Sequence, residues 1–476
     1  MIGRVARLDL TNWRRDRRLG ALLFVVVVAL IAVTAWAVNV DFVQREAQMA
    51  ASESARTQWE GQGDANPHGM AHFGDFAFRP AGPMAQLDRG VQARVGKVLF
   101  MEGHRQGVPL HTDAARAGSV ARFPRLDAAF LLQTIVPLVL IFLGATSLAA
   151  DRESGRLKLA LVQGAGARSV LSGHFFGLFG LSLVLLLLVV ATSLLMSGLL
   201  GIDGVLAKDR LALFLLVHVV FFAVVSAGVT ATTVWLPSAR GALVTLLSVW
   251  VIATALLPRA TAGIAGSFYS LPTQDAFQAT LREAREAGPD GHNPEDAELD
   301  RLRQEMLDTH GVETVEELPF NFDGIAMQVD EEFANGVWDT HYGELRETMT
   351  AQVAFGNRVG LLNPFQSIKR LSMALAGTDL AHDVAFQQKA ESHRRELVAA
   401  LNHEHAYGGS KTGDWSWEAP AAFFAGMPQF QYSPPSLERT LSRSIAPILS
   451  LLFWALLLTL ALRAGADRLE RGQLPC

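Results

Sequence analysis

Four residues of this chain have the types and spacing to hold a metal ion: His68 and His72, four apart, and Glu102 and His104, which flank a single glycine. Neutral imidazole binds Zn or Cu readily, so the two pairs could close a site if the fold brings them together. The competing reading is ordinary hydrogen bonding within a loop-rich segment. His403-Glu404-His405 lacks the HExxH spacing that sets two ligands on one helical face; a frayed, solvated helix end accounts for it. Gly408-Gly409-Ser410-Lys411-Thr412 ends like a phosphate-binding loop but has no Gly before the Lys. No ATP-hydrolysing motif is present, and no apolar run carries paired carboxylates or a histidine-rich face. No catalytic residue and no enzyme activity of its own is therefore expected.

Recognition rather than catalysis is the chemistry of a second stretch, residues 151–177, DRESGRLKLALVQGAGARSVLSGHFFG. It carries Asp151, Arg152, Glu153, Arg156, Lys158 and Arg168. Residues 128–150 before it and 175–200 after it contain no Asp, Glu, Lys or Arg. Such a stretch is too charged for hydrocarbon and too short for a domain. It reads as a loop between two membrane spans that meets a partner in water. A short amphipathic helix over 156–162 would turn Leu157, Leu159 and Leu161 to a groove on that partner, with Arg156 and Arg168 pairing with its acidic groups. A basic membrane loop that simply obeys the positive-inside rule is the plainer alternative.

The elements that must position these residues follow from the apolar runs. Half of the 476 residues are hydrophobic and 18% are charged, too apolar for a soluble enzyme and too charged for a protein lying wholly in a membrane. Nothing points to nucleic acid. With Cys476 as the only cysteine, no intramolecular disulfide forms. Uncharged runs predict six spans, over residues 19–40, 128–150, 175–200, 211–236, 242–258 and 444–462. The first gives about 33 Å of helix, enough to cross a bilayer. It exceeds the apolar core of a cleaved signal, so an uncleaved anchor is expected. His218, the one ionisable residue inside a span, is expected to be neutral and bonded to a neighbouring helix.

Residues 1–18 hold six arginines interleaved with Val5, Leu8, Leu10 and Trp13. They form either an amphipathic helix on the lipid surface or a retention signal without fixed structure. Those arginines, with Arg463, Arg468 and Arg471 in the tail at 463–476, place both termini in the cytoplasm of a bacterial inner membrane. Residues 41–127 and 259–443 then lie in the periplasm. Between positions 260 and 440 there are 28 acidic against 13 basic residues, the polarity of a translocated segment.

The first insertion reads as a helix running out to Glu60, a Gly- and Pro-rich loop, and a strand or two within 91–102. The second is helical over 275–287 and 294–310, then over about 323–359. In that long helix Ile325, Val329, Phe333, Val337, Leu345, Met349 and Val353 form an apolar stripe. Helices at 365–376 and 380–405 and an irregular stretch at 419–435 complete it. The fold class expected is mainly α: a six-helix transmembrane bundle with a mostly helical periplasmic domain built from two insertions.

The loop at 151–174 resembles the cytoplasmic coupling loop of ABC exporter permeases of the type-2 class. The matching residues are Glu153, Gly155, Arg156, Leu157, Arg168 and Gly173; His174 departs from the usual Lys, and Gly164 and Gly166 replace the usual turn. NPHGMAHFGDFAFRP, LDRG and FMEGHR in the first insertion are similar to a subfamily with large periplasmic insertions. So are Asn363-Pro364, Ala376-Gly377-Thr378-Asp379 and Phe386 in the second. That subfamily is loosely linked to multi-copper enzyme maturation. The resemblance implies a permease subunit that couples ATP hydrolysis by two ATPase subunits, which bind ATP and Mg, to export or to work on a periplasmic partner. A second permease, identical or homologous, would complete it. Glu153, Gly155, Arg156, Leu157 and Arg168 would carry the ATPase coupling. A non-transporting, membrane-anchored factor that binds metal or protein outside is the alternative.

Overall fold

The computed structural model describes residues 1–92, 94–112, 126–202, 207–236, 238–291, 293 and 296–472. Cys476, Pro237 between the fourth and fifth predicted spans, and residues 203–206 between the third and fourth lie outside the described residues. Helix α1 (Ile2–Arg15) ends at Asp16, whose extended backbone breaks it. The Asp16 carboxylate accepts from the Arg18 and Leu19 N–H groups at 2.8 and 3.1 Å, capping α2 (Arg17–Glu60). This one residue lets α1 fold back while α2 runs on for 44 residues. At 1.5 Å per residue α2 is about 66 Å long, so roughly its outer half extends beyond the bilayer core.

Beyond α2 come α3 (Pro67–Phe73) and three strands, β1 (Asp75–Phe78), β2 (Val98–Met101) and β3 (Pro109–Leu110). They pair antiparallel in the order β1-β2-β3, with Asp75 opposite Met101 and Val98 opposite Leu110. The supposed loop around NPHGMAHFGDF is thus a capped helical turn and a strand. Next are α4 (Ala128–Glu153), α5 (Arg156–Val162), α6 (Ala167–Leu199), α7 (Lys208–Trp235) and α8 (Ala239–Phe268). The second insertion contains α9 (Gln274–Glu286), α10 (Ala297–His310), α11 (Phe322–Gly360), α12 (Pro364–Ala376), α13 (Leu380–Tyr407), α14 (Ala421–Ala425) and α15 (Leu437–Ser442). Helix α16 (Ile445–Glu470) ends the described chain.

Six of these helices, α2, α4, α6, α7, α8 and α16, are long and apolar enough to cross a bilayer, and the chain is a membrane protein. Outward-facing Leu449, Leu452, Phe453, Leu456 and Leu460 on α16 show the lipid-compatible exterior. Helix α8 passes the predicted end at 258 by ten residues. A π-turn at Ile252–Leu256 widens the helix just before Pro258, so the proline's missing N–H and its ring are accommodated.

Residues 2–15 are helical rather than without fixed structure. Helix α1 packs along α6, with Asp9 and Trp13 buried. The Trp13 Nε1 donates to Ser147 Oγ at 2.8 Å. Gly173 makes the approach possible, because a Cβ there would lie 2.4 Å from Val5 Cβ.

The two insertions form one body on the opposite side. Trp59, Met70, Leu397, Leu401, Phe424 and Met427, drawn from both, share a core. Helix α12 sinks Ile368, Leu371 and Leu375 into the same core as the spanning helices. The apolar stripe expected on α11 is only half-buried, and Val353 is 42% exposed. The deep line on α11 is Met327, Asp330, Glu331, Ala334 and Trp338. Two acids occupy the core because each has a partner: Arg394, fully buried on α13, meets Glu331 at 3.1 Å and Glu391 at 2.9 Å and stacks on Trp338, and Arg285 donates to Asp330 at 2.7 Å.

Removing one partner of such a pair strands a buried charge, at a cost of about 3–5 kcal/mol. Arg394→Ala should therefore destabilise the inserted body by about that much, read from the denaturant midpoint for its proteolysis. Arg394→Lys, which cannot reproduce the forked contacts, should recover only part of the loss.

Candidate functional site

Two places gather functional groups, one on each side of the spanning bundle. On the side that carries α1, α5 is a seven-residue helix after Gly155, which adopts φ +75°. Leu157 is not available to a partner: it is 3% exposed and packs with Leu148, Val170, Leu171, Val234 and Leu469 of this chain. The outward face consists of Arg156, Lys158, Leu159 and Val162, the last two 57% and 77% exposed. Helical geometry explains the division, since 157, 160, 161 and 165 share the inner side while 158, 159 and 162 turn away.

The remaining residues of this motif tie the loop to the bundle. The Glu153 carboxylate accepts from the Ala239 N–H at 2.8 Å, at the start of α8. Arg156 reaches Asp151 at 2.6 Å. Arg168 pairs with Asp467 of α16 at 2.8 Å while staying largely exposed. Arg152 is buried and donates to the Thr233, Val234 and Leu236 carbonyls at 3.2, 2.9 and 2.7 Å, the end of α7. His174 Nδ1 lies 2.7 Å from Asp9 Oδ2, both buried, locking α1 to α6. Nothing in the sequence beyond charge count or motif departure singles out Arg152, Asp9 and His174. An Asp placed on the Trp13 face of an arginine-rich helix is the one signal available.

On the other side His68, His72 and His104 meet. Their ligand nitrogens all lie within 4.8 Å of one another. His68 and His72 are one turn apart on α3, where Asn66 accepts from the His68 and Gly69 N–H groups. Glu102 does not join them; its carboxylate binds the Arg105 side chain. The His104 N–H donates to Glu331, and its Nδ1 lies 3.3 Å from Asp330 Oδ2. Arg285 donates to the other Asp330 oxygen at 2.7 Å. Burial pushes the Asp330 carboxyl up, but bonds and charge from His104 and Arg285 outweigh it and hold the group below the usual carboxylate range. His104 and Arg285 also line a cleft of about 640 Å³, together with Arg105, Arg282, Trp338 and Tyr342.

The other sequence motifs are structural. His405 is buried against Trp415 and Asn321, not frayed in solvent, and burial lowers its pKa. Ser410 and Thr412 of the Gly-Gly-Ser-Lys-Thr stretch bind Asn321 and the Phe322 N–H, closing the start of α11. In the spans, His218 Nδ1 donates to the Phe214 carbonyl of its own helix at 2.8 Å, and Gln133 of α4 faces Nε2 at 3.3 Å.

A buried acid pair marks the junction of the first insertion with the bundle. Asp88 accepts from Ser372 of α12 and from the Gly90 N–H. Asp127 caps α4 and accepts from the Arg89 N–H. Burial, then the neighbouring Asp127 charge, push the Asp88 carboxyl up to about 7, against weaker pulls that include Lys369.

A family model described as "Domain of unknown function (DUF3526)" matches residues 276–433. The match falls within the second insertion, covers Arg285, Asp330, Glu331 and Arg394, and leaves out α5 and the three histidines. No curated protein matches the chain.

A carboxyl whose folded pKa exceeds its unfolded value of about 4 binds more protons when folded. The contribution of Asp88 to stability should fall as pH rises from about 4 to about 7, then level off. Asp88→Asn should flatten that part of the profile and raise the melting temperature at pH 8 relative to the unaltered chain.

Proposed function

We propose that this chain is the membrane-spanning subunit of an ATP-driven transporter of the type-2 ABC exporter class. The observation that carries the proposal is the outward face of α5. A short helix between two spans presents Arg156, Lys158, Leu159 and Val162, while Leu157 and Arg152 bind it to the bundle. A surface both basic and apolar on a rigid mount suits docking by another protein. Two ATPase subunits would supply the ATP and Mg²⁺ sites, and a second permease, identical or homologous, would pair with this one. The arginines of α1 and the end of α16 gather on the α5 side, in keeping with a cytoplasmic location of that side and a bacterial inner membrane. The insertions would then be periplasmic.

The mechanism follows from the ties. Closure of the ATPases presses α5, and Arg152 passes the displacement to the end of α7. At the start of α7, Arg210 donates to the Ala374 and Leu375 carbonyls of α12 at 3.4 and 3.3 Å, and to Pro435 at 2.6 Å. The inserted body therefore moves with the same helix, either to expel a substrate or to act on a periplasmic partner. The meeting of three histidines favours a second reading, a membrane-anchored factor that binds metal or a client protein without transport.

Co-purification with an ATPase, followed by Leu159→Asp and Arg156→Glu, separates the two. Transport predicts that assembly in the membrane persists while permease-stimulated ATP hydrolysis falls by about tenfold or more, roughly the 1.4 kcal/mol or more of docking energy a central contact supplies. Unchanged hydrolysis in both variants overturns the transport reading.

A further inference from the structure

We propose that His68, His72 and His104 bind one divalent d-block ion, Zn²⁺ or Cu²⁺, at the seam between the two insertions. The inference does not rest on the transport reading. His68 Nε2 and His72 Nε2 are 3.1 Å apart. Nitrogens at about 2.0–2.1 Å from a tetrahedral ion lie about 3.3–3.4 Å from each other. The rings therefore need to shift by only a few tenths of an ångström to share an ion.

The third ligand is placed by its backbone and by its neighbours. His104 adopts φ +63°, a left-handed conformation uncommon for a non-glycine residue. Glu331 holds that turn by accepting the His104 N–H, and Arg394 holds Glu331. Asp330, anchored by Arg285, sits beside Nδ1 of the same ring. An ionised carboxylate can only accept, so Nδ1 is the donor in that contact, which assigns Nε2 as the nitrogen offered to a metal. A carboxylate behind a ligating histidine fixes the ring and raises its basicity, as at many zinc sites. The surroundings of His104 thus do what a ligand's support must do, and they come from the second insertion while His68 and His72 come from the first.

The donor set decides the class of ion. Three imidazoles without thiolate suit Zn²⁺ and Cu²⁺ rather than Ca²⁺ or Mg²⁺, which take oxygen ligands. With Glu102 held by Arg105, the fourth position is left to water or to a ligand group arriving from outside. His72 is exposed, so an ion enters directly from solvent. His104 also borders the 640 Å³ cleft, which would bring a second ligand to the same ion.

The test uses the full-length chain in detergent, stripped with a chelator and titrated separately with Zn²⁺ and Cu²⁺ against a chromophoric competitor. One equivalent of at least one ion should bind, and it should raise the melting temperature. Because His72 is exposed, His72→Ala should keep the fold and weaken binding by about a hundredfold or more. Asp330→Asn should weaken it by about ten- to a hundredfold. Glu102→Gln should leave it unchanged. Co²⁺ loaded in place of the native ion should give the visible absorption of a four-coordinate centre, lost in His104→Ala. Failure of the unaltered chain to bind either ion stoichiometrically, or equal binding by His72→Ala, overturns the site. Since the titration needs no ATPase, neither result bears on whether α5 docks one.

Discussion

A buried arginine stands at each end of the fourth spanning helix, and the organisation of the molecule depends on what those two side chains hold. A helix leaves its last carbonyls without intrahelical partners, and at the edge of a bilayer they need donors from protein. Arg152 supplies them to the end of α7. Arg210, on the first turn of α7, supplies them to the end of α12. Helix α7 also packs on α4, α6, α12 and α16. It is therefore the strut between the short helix on one side of the membrane bundle and the inserted body on the other.

The same economy of buried polar contacts recurs in the inserted body. Beside the apolar core that the two insertions share, Arg394, Glu331, Glu391, Asp330 and Arg285 form an ionic network within the second insertion, and Arg79 of the first insertion pairs with Asp383 of the second across the seam at 2.5 Å. Ionic seams fix register, because a displaced charge has no alternative partner. The Gly103 N–H, bonded to the Ala71 carbonyl at 2.9 Å, brings His104 to α3, and Glu331 and Asp330 of the second insertion hold it there. Asn363 makes the corresponding tie to the bundle, donating to the Ala253 carbonyl freed by the π-turn of α8 at 2.7 Å.

The spans were legible from sequence because a run of about twenty residues without charge is rare outside a membrane. Their ends were less so. The extension of α8 through Pro258 required a π-turn, which has no composition of its own. Docking of α1 was hidden because its arginines read as surface, while Asp9 and Trp13 decide which face turns inward. On α11 an apolar stripe was read where two acids hold the centre, since pairing of Glu331 with Arg394, 63 residues away, and of Asp330 with Arg285, 45 residues away, cannot be seen locally. The histidine cluster was half visible. His68 and His72 announce themselves by spacing, and Glu102 and His104 look equivalent in sequence. Only the left-handed turn at His104 and the proximity of Arg105 separate them. In the loop at 151–174, residue types pointed to recognition, but helical phase exchanged Leu157 for Lys158 and Val162 on the outer face.

The most direct test of the central claim is cross-linking at α5 in native membranes. Cys476 is the only cysteine, so Cys476→Ser gives a background into which single cysteines are placed. Leu159→Cys should be labelled only from the cytoplasmic side and should cross-link to a co-assembled ATPase, whereas Leu157→Cys, buried against α6 and α16, should do neither. Labelling of the Leu159→Cys thiol from outside sealed cells, or an assembled complex in which that thiol meets no ATPase, would contradict the account.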